Sequence, residues 1–270
     1  MKIIAVIPAR YHSSRLDGKP LADIGGQLMI ERVYLQAKKV NELTDVYVAT
    51  DDDRILSACQ KRNIKCMMTS AKHQTGTDRT GEVADKIPAD LYVNIQGDEP
   101  LIEPETIQKV LLPFGENTCH DIQVTNLMTQ IKDPVELLNF TIPKVITAQD
   151  GRGVFLTRSA VPFPKGSIAV KYYKQVCVYG FTPEALRFFC TSPRGKVESI
   201  EDIEILRFIE AGRRVQYIEV NSNTVAVDTP GDLKKVREII AQQFTPPPPH
   251  ICLIISYLYH LCFFTERRAA

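Results

Sequence analysis

The stretch Lys2-Ile3-Ile4-Ala5-Val6-Ile7-Pro8-Ala9-Arg10 decides how the rest of the chain is read. Its apolar run shows no alternation, and it closes on a proline and a cation. That predicts a strand over residues 3–8 with both faces covered, as in a parallel sheet. Working outward, apolar runs at 45–50, 65–68 and 90–96 predict companion strands. Amphipathic stretches at 29–40, 52–62, 78–86 and 104–112 predict helices between them. Such alternation reads as a doubly wound α/β domain, in which ligands bind beyond the carboxyl ends of the strands. From about Cys119 the pattern turns β-rich, with strands expected at 122–129, 144–147, 153–157 and 174–181. Helices are expected at 183–190 and 198–210, then a strand at 215–220, a late strand at the apolar run 224–227 and a last helix from Pro230.

Composition narrows the function classes. The chain has 270 residues, with 33 Lys+Arg against 32 Asp+Glu and a net charge of +1. No overall basic footprint exists for nucleic acid or an anionic membrane, although a local basic pocket is compatible with that average. Seven cysteines lie scattered with no C-x-x-C pair, so neither a disulfide framework nor a structural zinc site is expected. The first apolar run is too short for a signal peptide, and a cytoplasmic protein is expected. The end of the sequence differs in kind. Pro246-Pro247-Pro248-Pro249 precedes an apolar run at 251–264, shorter than the ~20 residues that span a bilayer. No stable membrane span is expected. Residues 245–270 read as a proline-led apolar tail outside the fold, whether an unrelated extension, a membrane-associating segment or a packing segment. The domain proper is 1–244.

Chemistry is sought after each strand. After the first come Arg10, Ser13, Ser14, Arg15, Gly18, Lys19 and Pro20: three cations, two hydroxyls and a glycine, which is equipment for a polyphosphate. The proline after Gly18-Lys19 excludes a Walker A loop, and no G-x-G-x-x-G is present. Asp51 and Asp52 after the second strand read as a helix cap. The polar segment from Thr69 to Arg79 contains His73, Thr75, Gly76 and Thr77. It offers hydroxyls and amides to a base or sugar, and Arg79 to a phosphate; His73 by itself reads as a loop histidine more readily than as a catalyst. Asp98, in Gln96-Gly97-Asp98-Glu99-Pro100, and Asp228, after the apolar run at 224–227, are candidate magnesium ligands. Magnesium takes one or two carboxylates plus substrate phosphates, although either acid also suits a helix cap.

These motifs together resemble the 3-deoxy-manno-octulosonate cytidylyltransferase (CMP-Kdo synthetase) family over about residues 2–240. The resemblance implies a Rossmann-like nucleotidyltransferase fold: a doubly wound, mostly parallel sheet with a β-rich dimerisation and sugar-binding lobe within about 119–220. The nucleotide-binding half is 1–115. It implies a homodimer that transfers CMP from CTP to the anomeric hydroxyl of an eight-carbon sugar acid, with Mg2+ present. Carried over by motif, Arg10, Ser14, Arg15 and Lys19 hold the triphosphate, and Thr75, Gly76, Thr77 and Arg79 shape the nucleotide site with His73 beside them. Asp98 and Asp228 hold the metal and, with Lys19, form the catalytic set. Gln96, Arg158, Gln175 and Glu201 face the sugar. Three departures stand out: Gln175 where the family has His, Ile205 where it has Gln, and Asp17 in place of a proline. On a continuous helix at 198–210, Glu201 and Ile205 share one face, which suggests an altered sugar pocket. The rivals are a cytidylyltransferase for a different ulosonic acid or an amino variant, and an inactive nucleotide-binding module.

Overall fold

Strand β1 (Ile3–Ala9) is buried at every position, which is why its sequence carries no polar alternation. Its side chains alternate between two cores. Ile3, Ala5 and Ile7 enter one cluster with Ile30, Val33, Ile55 and Ile107. Ile4 and Val6 enter the other with Val83, Phe189 and Phe208. A computed structural model describes residues 1–13, 15–115, 122–166, 169–222 and 224–244. The expected tail at 245–270, and with it Cys252 and Cys262, lies outside the described residues, as do Ser14 and Cys119.

After β1 come a hairpin of β2 (Asp23–Ile24) and β3 (Gln27–Leu28), then α1 (Met29–Ala37), β4 (Asp45–Thr50), α2 (Asp53–Gln60), β5 (Cys66–Met68), α3 (Gly76–Lys86), β6 (Leu91–Ile95) and α4 (Pro104–Lys109). The later part adds β7 (Val124–Gln130), α5 (Pro134–Leu138), β8 (Lys144–Thr147), β9 (Gly153–Thr157), β10 (Tyr173–Phe181), α6 (Pro183–Thr191), α7 (Lys196–Glu201), α8 (Leu206–Glu210), β11 (Gln216–Val220) and α9 (Pro230–Phe244). The main sheet has the order β11-β7-β10-β6-β1-β4-β5, with β8 on β10 and β9 on β8. Within the β5-β4-β1-β6 part every pairing is parallel, whereas β10 runs antiparallel to both β6 and β7. The fold is thus α/β with a mostly parallel central sheet, and a small antiparallel β8–β9 extension forms the lobe.

Two features place the site. From β1 the chain proceeds to β4 on one side and later returns to β6 on the other, so the order in which strands are added reverses between β1 and β6. Ligand crevices open at such switch points. The loops after β1 and β6, one basic and one acidic, are therefore neighbours. Asp228 arrives from far along the chain because α9 packs Leu233, Val236 and Ile240 with Ile24 and Met29 near the β2–β3 hairpin. The Val227 amide then donates to the Asp98 carbonyl at 2.8 Å.

Two expectations need correction. Residues 224–227 form no strand; Val227 is pinned to the Asp98 loop by that hydrogen bond. The helix expected over 198–210 is two helices, parted at Asp202, which adopts the left-handed conformation (φ 50°). Aspartate tolerates that region better than most residues.

Candidate active site

The loop after β1 folds back on itself. Gly18, at φ 66°, donates its amide to the Tyr11 carbonyl at 2.8 Å. A Cβ at Gly18 would stand 3.2 Å from the Tyr11 ring, so both the left-handed backbone and the close approach call for glycine. The guanidinium of Arg54 covers the Tyr11 ring at 3.3 Å and anchors the turn from outside. Asp17 is exposed and meets His12 Nδ1 at 3.2 Å. The loop then delivers Lys19, whose Nζ donates to Asp98 Oδ2 at 3.0 Å and to Asp228 Oδ1 at 3.2 Å. Arg15 reaches Asp228 Oδ1 at 3.1 Å. Burial disfavours the Lys19 charge, but the two carboxylates outweigh it and raise its pKa above the ordinary lysine value. Lys19 is thus held as a cation.

Asp98 Oδ1 is buried and has no hydrogen-bond partner among the described residues. An unpaired buried carboxylate oxygen is costly, and here it stands beside a second carboxylate and a ring of cations. Two oxygen donors with phosphate-binding cations nearby fit a hard divalent cation that completes its shell from phosphates. Among the described residues no cluster of three or more acidic, His or Cys side chains is present that would cage a metal unaided.

Above these groups opens a cavity of roughly 520 Å3, lined by Arg10, Arg15, Lys19, Thr75, Gly76, Gln96, Asp98, Arg158, Gln175, Glu204 and Asp228 among others. Thr75 caps α3: its hydroxyl accepts from the Asp78 amide at 3.1 Å, and Asp78 Oδ2 accepts the Thr75 amide at 2.9 Å. Gly76 opens that helix where an added Cβ would come within 2.8 Å of Gln96 Nε2 and 2.9 Å of Pro8 Cγ; the proline ring cannot swing aside. Thr77 lies buried beneath the cavity, and its amide donates to Glu204 Oε2 at 3.2 Å.

Two residues expected at the nucleotide are placed elsewhere. His73 turns its ring from the cavity toward Glu82, with Nε2 2.6 Å from Oε2. Despite the cost of burial, Lys86, the Ser70 amide and His73 together hold Glu82 down at a pKa of about 2. His73 reaches the site only through its carbonyl, which accepts from Arg10 at 2.8 Å. Arg79 is fully buried, donating to Asp51 Oδ2 at 2.6 Å and Thr69 Oγ1 at 2.7 Å. It ties the ends of β4 and β5 together, since a buried guanidinium requires a carboxylate and found one in Asp51.

Among the residues expected at the sugar, Gln96 Nε2 donates to Glu204 Oε1 at 3.3 Å. Gln175 Nε2 donates to Asn126 Oδ1 at 2.8 Å, and Asn126 itself bonds the Val176 and Val178 carbonyls at the bulge in β10. Arg158 lines the cavity while donating to the carbonyls of Glu201, Phe140, Thr141 and Asp202. Glu201 does not reach the cavity. Its carboxylate is taken by the Thr157 hydroxyl at 2.6 Å and the Arg158 amide at 2.9 Å, because the break at Asp202 rotates it off the face that a continuous helix would give it. The same break buries Ile203 and Ile205 and turns Glu204, between them, into the cavity. The departure at Ile205 therefore falls in the core rather than on the pocket wall. Sequence reasoning missed Glu204; an acid between two isoleucines just after Glu201-Asp202 was the available signal. Burial raises its pKa above the ordinary carboxylate value.

A doubly wound sheet with a basic loop and paired carboxylates at its switch point is the architecture of a nucleotidyltransferase. The sequence profile of the cytidylyltransferase family matches residues 4–218. A 3-deoxy-manno-octulosonate cytidylyltransferase from Geotalea uraniireducens is 39% identical over 249 residues, covering 88% of this chain and 98% of that protein. The Escherichia coli protein of the same name is 38% identical over 243 residues, with 90% and 97% covered. The solved structure of a CMP:2-keto-3-deoxy-manno-octonic acid synthetase complexed with CTP matches at TM-score 0.84 and 38% identity, over 90% of this chain and 100% of that one. A cytidylyltransferase from Leptospira borgpetersenii, 17% identical at TM-score 0.60, shares the fold. The chain belongs to the 3-deoxy-manno-octulosonate cytidylyltransferase family and is a cytidylyltransferase.

Proposed function

We propose that the chain transfers CMP from CTP to the anomeric hydroxyl of 3-deoxy-manno-octulosonic acid (Kdo), releasing pyrophosphate and activating a lipopolysaccharide or capsule precursor. The observation that carries this reading is the single cavity in which Lys19, Asp98 and Asp228 meet a wall made of Gln96, Arg158, Gln175 and Glu204. Arg10, Arg15 and Lys19 bind the triphosphate. The Thr75–Thr77 segment supplies a capped helix start against which the nucleotide rests, with Gly76 keeping that surface close to Gln96. Arg158 keeps an N–H to offer the sugar carboxylate, since four of its five donors are spent on carbonyls. Asp98 and Asp228 would hold magnesium, which supplies neutralisation of phosphate charge and a lowered pKa for the incoming hydroxyl. As the anomeric oxygen bonds to the α-phosphorus and releases its proton, the α–β bridging bond breaks. Lys19, kept cationic, then stabilises the departing pyrophosphate. The reaction is placed in the cytoplasm, where CTP is held; no helix among the described residues is long and apolar enough to cross a membrane.

Gln175 favours one second reading, a different ulosonic acid or an amino variant as acceptor, because one N–H of its side-chain amide already goes to Asn126 Oδ1. Turnover across a panel of ulosonic acids with CTP decides between the two. Kdo is expected to be used with the highest kcat/KM, and a large preference for another acid would replace it.

The proposed homodimer forms through the β-rich lobe. Val135, Leu138 and Phe140, in and just after α5, are 72%, 78% and 73% exposed, an apolar surface of the kind that marks an interface. Sedimentation equilibrium is expected to give twice the chain mass for the native protein and the chain mass for Leu138→Asp. A monomeric native protein would refute the dimer.

A further inference from the structure

Lys144 is wholly buried on β8. Its ammonium donates to three backbone carbonyls: Asn139 at 2.7 Å, Ile142 at 3.0 Å and Arg158 at 2.7 Å. Those are all the donors an ammonium has. Burial first, and then the neighbouring Arg158 guanidinium, lower its pKa from the ordinary lysine value, with Glu201 opposing. A cation placed at such a cost is explained by what it fastens. On one side lies the loop at 139–143, and on the other the end of β9, where Arg158 begins. Arg158 grips the same loop from the opposite direction through the Phe140 and Thr141 carbonyls at 3.2 and 3.0 Å. The Gln175 backbone N–H donates to the Pro143 carbonyl at 3.0 Å, so a third wall residue hangs on this loop. Thr141, Pro143, Arg158 and Gln175 all line the cavity. No hydrogen bond of the Lys144 ammonium reaches the triphosphate loop.

We propose that Lys144 is a positioning residue for the acidic sugar: by holding the Asn139, Ile142 and Arg158 carbonyls it sets where Thr141, Arg158 and Gln175 stand on the sugar wall. Lys144 has no donor left for the sugar itself. The inference rests on the reading of that wall as the sugar site. It makes Lys144 specific to one substrate of the two, which a residue serving stability alone is not.

The test is Lys144→Met, which keeps the stem and removes the ammonium, assayed at a temperature where circular dichroism shows it folded. The KM for the sugar is expected to rise on the order of 10- to 100-fold, as displaced binding groups cost at this scale. The KM for CTP, and CTP binding measured by calorimetry without sugar, should stay at native values. Lys144→Gln, which restores one donor, is expected to fall between Met and the native protein, and it carries the same comparison if the Met variant does not fold. Sugar and CTP constants that move together, or both unchanged while the melting temperature falls, would overturn the proposal. The reading of the substrate is judged separately by the native protein: if it uses another sugar acid instead of Kdo, the same ratio is taken with that acid.

Discussion

Asp98→Asn is expected to lower CTP- and magnesium-dependent pyrophosphate release by about two to three orders of magnitude, the scale seen when one preorganised charge-stabilising group is removed from an active site. The substitution keeps shape and volume. The Asp98 backbone carbonyl that accepts from Val227 is untouched, so the melting temperature is expected to stay at the native value. What changes is the charge on a carboxylate whose Oδ1 is buried without a partner among the described residues and whose Oδ2 accepts from Lys19. Among the described residues Lys19 would keep Asp228 as its ionic partner, at 3.2 Å. Rate assays at saturating CTP, with a thermal melt as control, make the check. Unchanged pyrophosphate release would mean that Asp98 holds no metal.

Glu198→Ala is expected to be the most damaging substitution for stability outside the site. Glu198 and Arg207 form a buried two-pronged pair, Nε to Oε2 at 2.8 Å and NH2 to Oε1 at 2.7 Å. Both side chains are almost wholly excluded from water, at 0% and 6% exposure. Arg207 also lies over the Phe189 ring at 3.7 Å and donates to its carbonyl. Removing the carboxylate leaves the buried guanidinium only the more distant Asp78, at 4.0 Å, as a carboxylate partner among the ion pairs of the described residues, and breaking a buried pair costs about 3–5 kcal/mol. For a chain of this size that corresponds to a fall in melting temperature on the order of 10 °C. The pair also bridges α7 to α8 across the turn that presents Glu204, so the KM for the sugar is expected to rise as well. Differential scanning calorimetry and sugar titrations check the two halves; a melting temperature at the native value would show that the pair contributes nothing net.

The parallel half was legible because its strands carry their burial in their composition. β1 and β6 are buried throughout, and such runs have few competing readings. The joining of Lys19, Asp98 and Asp228 was legible only as motif. Nothing in the spacing says that α9 folds back onto the β2–β3 hairpin and pins Val227 to Asp98. That hairpin had its own signal in Gly25-Gly26, both at positive φ (61° and 82°), the backbone of a tight two-residue turn.

The placements that differ from expectation share one cause. His73 and Arg79 look like ligand-binding groups in a polar loop, yet each is paired with a carboxylate outside that loop, Glu82 and Asp51. Glu201 was assigned on a helix that should have continued to residue 210. The break at Asp202 lies between Glu198 and Arg207, which pair across it, a tertiary contact that no local propensity records. Glu204 was missed for the same reason. A partner distant in sequence decides where a charged side chain points, and the sugar wall is built almost entirely from such partners.

The central claim is tested most directly by incubating the purified protein with CTP, Kdo and magnesium and following both products by phosphorus NMR. A CMP–sugar phosphodiester and pyrophosphate are expected in equal amounts, with neither formed when Kdo is left out, when magnesium is chelated, or when ATP, GTP or UTP replaces CTP. Pyrophosphate released without the sugar, or no CMP–sugar formed from any ulosonic acid, would contradict it.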